Sequence, residues 1–151
     1  MHASSRIART LAAALLALAC GDATAPDDEW TRARERWSRL GPREYAVTVT
    51  RFCECLPEMS GPVVVTVRDG AVESRAYAAT GAPVASPLDA EFPSVEQLFA
   101  RIAAARRAEV DLLRVTYDGA LGHPVRVEID PDARVADDEI TYHVSEPRAL
   151  P

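Results

Sequence analysis

Hydrophobic residues recur with two different periods along this chain, and each period predicts a type of element. In the first helical segment they are three or four positions apart, which places them on one helix face. They are Trp30, Ala33, Trp37 and Leu40. Asp27 or Asp28 is the predicted N-cap of this helix, and Gly41-Pro42 ends it. From Tyr45 the period falls to two, as in a strand with one buried face.

Further segments alternate in the same way, so the sequence predicts about six strands. They span residues 45–50, 62–68, 72–77, 113–117, 125–130 and 140–144. Asp69-Gly70, between the second and third strands, is typical of a type I′ hairpin turn. A second helix is predicted from Ser94, which has capping-box spacing to Gln97. Residues 78–93, before this helix, are expected to form an exposed and mobile surface connection.

This alternation is typical of antiparallel sheets that are wet on one face. We therefore predict an α+β fold in which two helices pack on the same apolar face of the sheet. The two halves of the chain also look alike, since Pro62 and Pro124 each open a valine-rich strand that leads to an aspartate. A duplicated α-β-β-β unit would explain this similarity, and so would a chance match between two valine hairpins.

Residues 1–19 have the pattern of a signal peptide and are set apart from the fold. Arg6 and Arg9 precede the uncharged apolar run Leu11–Ala19, which has the length of a signal-peptide core. A helix of that length covers only about 13 Å, whereas a bilayer core is about 30 Å thick. The sequence therefore predicts export without a membrane-spanning helix.

The signal ends in Leu16-Ala17-Leu18-Ala19-Cys20-Gly21, which resembles the lipobox of bacterial lipoproteins. In that pattern the thiol is acylated, so Cys20 would anchor the chain to a membrane and residues 20–26 would form a short tether. The alternative is an ordinary signal peptide that is cleaved nearby and leaves Cys20 unmodified. Lipidation is preferred on the joint pattern of signal and lipobox. The cysteine count supports it, because lipidation leaves Cys53 and Cys55 as an even pair in an oxidising compartment.

Composition limits the remainder to one domain, residues 27–151. The full chain of 151 residues is 48% hydrophobic but only 6% aromatic, so we expect an aliphatic core. Because Arg6 and Arg9 belong to the signal, the chain after Cys20 carries 15 of the 17 basic residues against all 23 acidic ones, a net charge of −8. A nucleic-acid partner is not expected, since phosphate binding needs a basic face.

Cys53-Glu54-Cys55 is the motif with the most reactive chemistry. Residues two apart in an ideal strand have Cα atoms about 6.6–6.8 Å apart, which is the upper limit for a disulfide, so a bond here requires a bend. Pro57 and Gly61-Pro62 supply one. A disulfide that staples this turn is the preferred interpretation, and its tight ring would be more easily reduced than a long-range bridge. The alternative is a thiol-redox pair, although neither C-x-x-C spacing nor a source of a lowered thiol pKa is visible in the sequence.

Other candidate sites lack the pattern that their chemistry needs. A zinc or copper site on the two thiolates would require His123 or His143, but neither has metal-motif spacing and both are predicted at the surface. The acidic stretch 130–139 lacks the Gly and distant Glu of a calcium loop, and Arg134 interrupts it, so a solvated hairpin turn is expected. Nucleophile, phosphate-loop and dinucleotide motifs are missing from the sequence, and we expect neither a cofactor nor catalysis.

Several features, taken in chain order, resemble the secreted and often lipidated bacterial proteins of domain of unknown function 6174. They are a Trp-containing helix, Tyr45 leading into Cys53-x-Cys55-x-Pro57, the hairpin Val67-Arg68-Asp69-Gly70, the helix around Leu98-Phe99-x-x-Ile102, and Tyr117-Asp118-x-x-x-Gly122-x-Pro124 followed by Ile129-Asp130 and Asp137-Asp138-Glu139. The resemblance covers about Trp30 to Val144, with His123 standing where an aromatic is expected. It implies an exported α+β domain of unassigned activity.

These observations predict a non-enzymatic, lipid-anchored protein of the cell envelope that faces the periplasm or the exterior. It would bind an envelope protein partner or contribute to envelope maintenance. The alternative is a thiol-redox or metal-handling protein that uses Cys53 and Cys55. A third hypothesis, an inhibitor-like module, depends only on the length of the loop 78–93.

Overall fold

The computed structural model describes residues 26–151, with side chains from Glu29 onward. The predicted signal peptide, the lipidation site Cys20 and the tether up to Ala25 lie outside the described residues and stay predictions. Among the helices of the described chain, none combines the length and the hydrophobicity that crossing a bilayer would take.

Within residues 26–151, two α-helices and seven strands form the fold. They are α1 (Pro26–Leu40), β1 (Tyr45–Phe52), β2 (Gly61–Arg68), β3 (Ala71–Tyr77), α2 (Val95–Ala108), β4 (Leu112–Tyr117), β5 (Pro124–Asp130), β6 (Ile140–Val144) and β7 (Arg148–Ala149). All six predicted strands are present, and β7 was missed because two residues are too few to show alternation. α1 begins at Pro26, so Asp27 and Asp28 lie inside its first turn, and the prediction that one of them caps it is wrong.

Two local signals in the sequence are confirmed. The Ser94 side chain accepts a hydrogen bond from the Gln97 backbone N–H, and the Gln97 side chain accepts one from the Ser94 N–H, which completes the capping box of α2. Asp69 and Gly70 have φ angles of 49° and 74°, both positive as a type I′ turn requires. These signals fix where α2 begins and where β2 turns into β3.

The strands form one antiparallel sheet in the order β3-β2-β1-β6-β5-β4. β6 pairs with the second half of β1, and β7 pairs with its first two residues. Ser145, between β6 and β7, is also hydrogen-bonded to the β1 backbone. Its N–H donates to the Thr48 carbonyl, and its Oγ accepts from the Thr48 N–H. The order α-β-β-β occurs twice, as the duplication hypothesis requires, and a common origin of the halves stays a hypothesis.

Both helices pack on one face of the sheet, as predicted. Along β1 this face carries the buried residues Tyr45, Val47, Val49 and Arg51. Their neighbours on β2, in register, are Val67, Val65 and Val63. Trp37 of α1 lies edge-on against Tyr45, and Glu96 of α2 accepts a hydrogen bond from the same tyrosine. The two helices therefore meet at the start of β1.

The connection from β3 to α2 differs from the predicted exposed loop. Val84 and Phe92 are buried in the core, and residues Ser86–Glu91 between them form a 3₁₀ turn. The Arg75 side chain of β3 donates a hydrogen bond to the Phe92 carbonyl, and the Val84 N–H donates to the Arg75 carbonyl. The burial of Val84 and Phe92 could not be predicted from the sequence, because isolated hydrophobic residues among prolines and small residues show no periodicity.

Gly122 sets the distance between α1 and the turn from β4 to β5. A Cβ at this position would lie 2.3 Å from the Ala33 carbonyl oxygen, and φ is +85°. We expect Gly122→Ala to lower the free energy of unfolding by about 2–4 kcal/mol, because overpacking and a positive φ each have a cost. Gly119→Ala in the same turn, where a Cβ meets open space, should change it by less than about 0.5 kcal/mol. Equal effects in urea unfolding would contradict this account.

Candidate functional site

A cleft of about 900 Å³ separates α1 from α2 over the start of β1. Its walls are lined from α1 by Trp30, Arg34 and Trp37, and from α2 by Phe99, Ala103 and Arg107. The loop that follows α1 and the hairpin turn at residues 69–70 close one end. This volume lies in the range of small-molecule sites.

Small residues keep the cleft open. α2 presents Ala100 and Ala103 to it, and alanine side chains are too short to fill the space between two helices. At the end of α1, a Cβ on Gly41 would lie 2.6 Å from the Trp37 indole. The chain therefore turns directly over this ring, which forms the floor of the cleft together with Phe99.

The carboxylate of Glu96 ties the floor of the cleft to the sheet. It accepts hydrogen bonds from Trp37 Nε1 at 2.9 Å, from the Tyr45 hydroxyl at 2.7 Å and from Ser94 Oγ at 2.9 Å. The same hydroxyl accepts a hydrogen bond from the Val95 N–H at 3.1 Å. Burial and the neighbouring Glu96 carboxylate raise the pKa of Tyr45, so its hydroxyl stays protonated and can donate. The floor is thereby held in one arrangement.

The charged groups around the cleft are unevenly paired. Glu44 forms an ion pair with Arg68 at 2.9 Å, and Glu96 is engaged by the three donors above. Arg43 and Arg107 form no ion pair with any carboxylate of the described residues. The unpaired charge at the rim is thus mainly guanidinium, with Asp69 as the opposing carboxylate.

Trp30 marks the far end of the cleft. Arg34 and Arg106 each lie 5.3 Å from the centre of its ring, a cation–π distance. The Trp30 Nε1 atom is buried and has no hydrogen-bond partner in the described part of the protein. This end therefore combines an aromatic surface, a spare donor and cationic groups.

The cysteine pair lies at disulfide-bonding distance just beyond β1. The strand ends at Phe52 and the chain then bends, which brings the Cα atoms of Cys53 and Cys55 to 5.3 Å, well inside the disulfide range. A 3₁₀ turn over Pro57–Met59 follows. The bend that the sequence analysis required is therefore present.

Arg51 is the residue of this cluster that sequence analysis missed. Its Nη1 lies 2.8 Å from Cys53 Sγ, 3.2 Å from Cys55 Sγ and 3.0 Å from the Met59 carbonyl oxygen, while its Nη2 pairs with Glu91 at 3.0 Å. The side chain is only 7% exposed. The available signal was its position, because a charged residue occupies the apolar phase of the alternation in β1.

The two histidines behave differently. His143 is exposed on the polar face of β6, as predicted, and its ring lies 4.9 Å from that of Phe52. The prediction of a surface His123 is wrong, because this residue is buried beside Trp37. Both His123 ring nitrogens lack a hydrogen-bond partner among the described residues. Burial lowers the pKa of His123, and Asp118, 3.8 Å from Nδ1, opposes this effect.

Residues 131–139 of the acidic segment form the connection between β5 and β6, as predicted, and Asp130 is the last residue of β5. Arg134 pairs with Asp132 inside it. Burial and the neighbouring carboxylates, Asp138 first, raise the pKa of Asp130. From Glu29 onward, where side chains are described, no three His, Cys, Asp or Glu side chains converge as a metal site would need.

Comparison with known proteins places most of the chain in one family. The model of a family of unknown function (DUF6174) matches residues 29–149, which confirms the family noted in the sequence, while secretion and lipidation stay predictions. No curated protein and no solved structure matches the chain.

His123 should make stability depend on pH. Because its pKa is lower in the folded protein, acidification through the unfolded value of about 6.5 protonates the unfolded chain first, and stability falls from there downward. We expect His123→Phe to flatten this fall in unfolding free energy between about pH 7 and 5. His143→Gln, at the exposed site, should leave the fall in place. The same pH profile for His123→Phe and the parent would contradict the assignment.

Proposed function

The chain belongs to DUF6174, a family of unknown function, and we propose that it is an exported, lipid-anchored binding module of the cell envelope. Its binding site is the cleft between α1 and α2. The observation that supports this site is the combination of an aromatic floor with unpaired guanidinium groups at the rim. The expected ligand is a small amphiphile with one carboxylate and an apolar tail.

The apolar part of this ligand follows from the floor. Trp37 and Phe99 line the cleft but are only 6% and 4% exposed, so the half-buried Trp30 offers more accessible aromatic surface. Covering apolar surface with a ligand tail contributes about 25 cal/mol per Å² removed from water. The neighbouring Ala100 and Ala103 add apolar wall without narrowing the space. A tail can therefore lie along the cleft.

The carboxylate follows from the rim. Arg43 and Arg107 form no ion pair with a carboxylate of the described residues, while the carboxylates of Glu44 and Glu96 are already engaged. Guanidinium groups bind carboxylates through two parallel hydrogen bonds, which fixes the orientation of a ligand. The local charge thus favours an anion although the domain as a whole is acidic.

Export and anchoring are supported by the sequence before residue 26. The apolar run that ends in Ala19-Cys20 provides both a signal and an acylation site. Several acyl chains would hold the protein on a membrane surface, since each buried CH₂ contributes about 0.8 kcal/mol. The short tether would keep the cleft near the surface from which amphiphiles exchange.

Binding can be followed through intrinsic fluorescence, because Trp30 and Trp37 are the two tryptophans of the chain and both line the cleft. We expect dodecanoate, added below its micellar concentration, to change their emission saturably. The double variant Arg43→Gln/Arg107→Gln should weaken binding at least tenfold, since one charge-assisted hydrogen bond contributes about 1.5–3 kcal/mol.

The matched control is Arg32→Gln/Arg39→Gln, which removes the same charge from exposed positions of α1 that do not line the cleft. It should bind like the parent. Dodecanol and dodecylammonium test the charge preference at constant chain length. No saturable change with dodecanoate, or equal affinity for dodecanol, would reject the proposed ligand.

The anchor is tested separately by intact mass of the native protein. We expect the chain to begin at Cys20 and to carry the mass of attached acyl chains, and to partition into the detergent phase. Cys20→Ser should lose both properties. Native protein that retains residues 1–19, or that begins near residue 20 without added mass, contradicts the anchor and leaves the cleft assignment to its own test.

A further inference from the structure

A second cavity, of about 480 Å³, opens beside the cysteine pair at the opposite end of β1 from the cleft. Arg51, Cys53, Glu54, Ser60 and Glu139 contribute to its lining. A small thiol has room in this space to reach Cys53. The pair is therefore accessible to thiol–disulfide exchange.

The position of Arg51 fits a reduced pair better than an oxidised one. Its Nη1 lies 2.8 Å and 3.2 Å from the two sulfur atoms, and a guanidinium is charged at every relevant pH. A disulfide sulfur is a weak, neutral acceptor and gains little from this donor. A thiolate in the same place gains a charge-assisted hydrogen bond in a partly buried site.

Other charged groups near the cysteine pair also affect the stability of a thiolate there. Carboxylates that disfavour a thiolate are Glu91 on the far side of the guanidinium, Glu54 and Glu139 in the cavity, and Glu58 in the following turn. Tyr142 lies opposite Arg51 in the sheet, and Arg101 lies over the Tyr142 ring. Among the cations of residues 29–151, Arg51 alone is in direct contact with the sulfur atoms, so its effect dominates at short range.

We propose that Cys53–Cys55 is an exchangeable disulfide that oxidises thiols, with Arg51 holding the sulfur that departs. A substrate thiolate attacks Cys53 Sγ, a mixed disulfide forms, and the electron pair of the broken S–S bond leaves on Cys55 Sγ beside Arg51. A second substrate thiolate then attacks the sulfur of the substrate in the mixed disulfide, which releases Cys53 as a thiolate. The products are a substrate disulfide and a protein dithiol after two protons are taken up, so two electrons pass to the protein.

The role proposed for Arg51, stabilising the cysteine thiolates, can be distinguished from a purely structural role. The Nη1 group also donates to the Met59 carbonyl, and a residue that only fastened this turn would affect its stability without tuning the thiols. The property that separates the two roles is the pH at which the reduced cysteines become reactive.

The experiment uses the full chain, purified in detergent and reduced, and follows alkylation of Cys53 and Cys55 by iodoacetamide against pH with peptide-resolved mass spectrometry. We expect the parent to react with a midpoint at least one pH unit below the usual thiol value of about 8.5. Arg51→Gln should raise this midpoint by about 1–3 units, since an opposite charge at short range shifts a pKa by that amount. Arg51→Lys should lie between them.

Glu91→Gln gives a change of opposite sign at the same site, because it removes the carboxylate that partly neutralises Arg51 and should lower the midpoint. In glutathione mixtures the fraction of reduced pair should fall in the order Glu91→Gln, parent, Arg51→Gln, with at least a tenfold change in the reduction equilibrium constant between the last two. That factor corresponds to about 30 mV.

Three results would overturn the proposal. One is a parent midpoint near the ordinary thiol value, which needs no variant and stands even if Arg51→Gln fails to fold. Another is a midpoint that is the same in the parent, Arg51→Lys and Glu91→Gln. The third is a pair that stays fully oxidised in a glutathione mixture that reduces ordinary exposed disulfides. None of these outcomes bears on ligand binding in the cleft.

Discussion

The hydrogen bond between the Tyr45 hydroxyl and the Glu96 carboxylate is the contact on which the arrangement of both helices depends. Tyr45 is fully buried, and a buried hydroxyl without a partner would cost about 1–3 kcal/mol. Glu96 satisfies it and at the same time accepts from Trp37, so one carboxylate joins α1, α2 and β1. The position of the cleft follows, because its floor is built from the groups that this contact holds.

β1 supplies the frame for both proposed sites. It is the strand that pairs with β2, β6 and β7, and its inward face carries polar side chains only at its two ends, Tyr45 and Arg51, with valines between them. The six residue-to-residue steps between these ends span about 20 Å. The valines fill the middle of this face, so the polar side chain at each end finds its partners outside the sheet. Tyr45 is hydrogen-bonded to Glu96, and Arg51 contacts Glu91 and the two cysteines.

The features that could be predicted from the sequence are those that depend on residues close together in the chain. The alternation in six segments, the Ser94–Gln97 capping box and the Asp69-Gly70 turn each depend on neighbours within a few residues, and all are present in the structure. Burial of His123, Val84 and Phe92 depends on which distant element covers them, and no period records that. Arg51 is an intermediate case, since its place in the apolar phase of β1 shows that it points inward but not that Cys53, Cys55 and Glu91 converge on it.

The two proposed sites are joined by one short segment, residues 91–96, and its packing argues that they act independently. Glu91 pairs with Arg51 at one end, and Glu96 supports the cleft floor at the other. Coupling between sites requires an element with two discrete arrangements. Between Glu91 and Glu96, Phe92 is fully buried and Ser94 makes both hydrogen bonds of its capping box. These contacts hold the segment in one position, so a change in the charge around Arg51 does not displace α2. Opening of the cysteine pair would therefore alter the end of β1 and leave the cleft as it is.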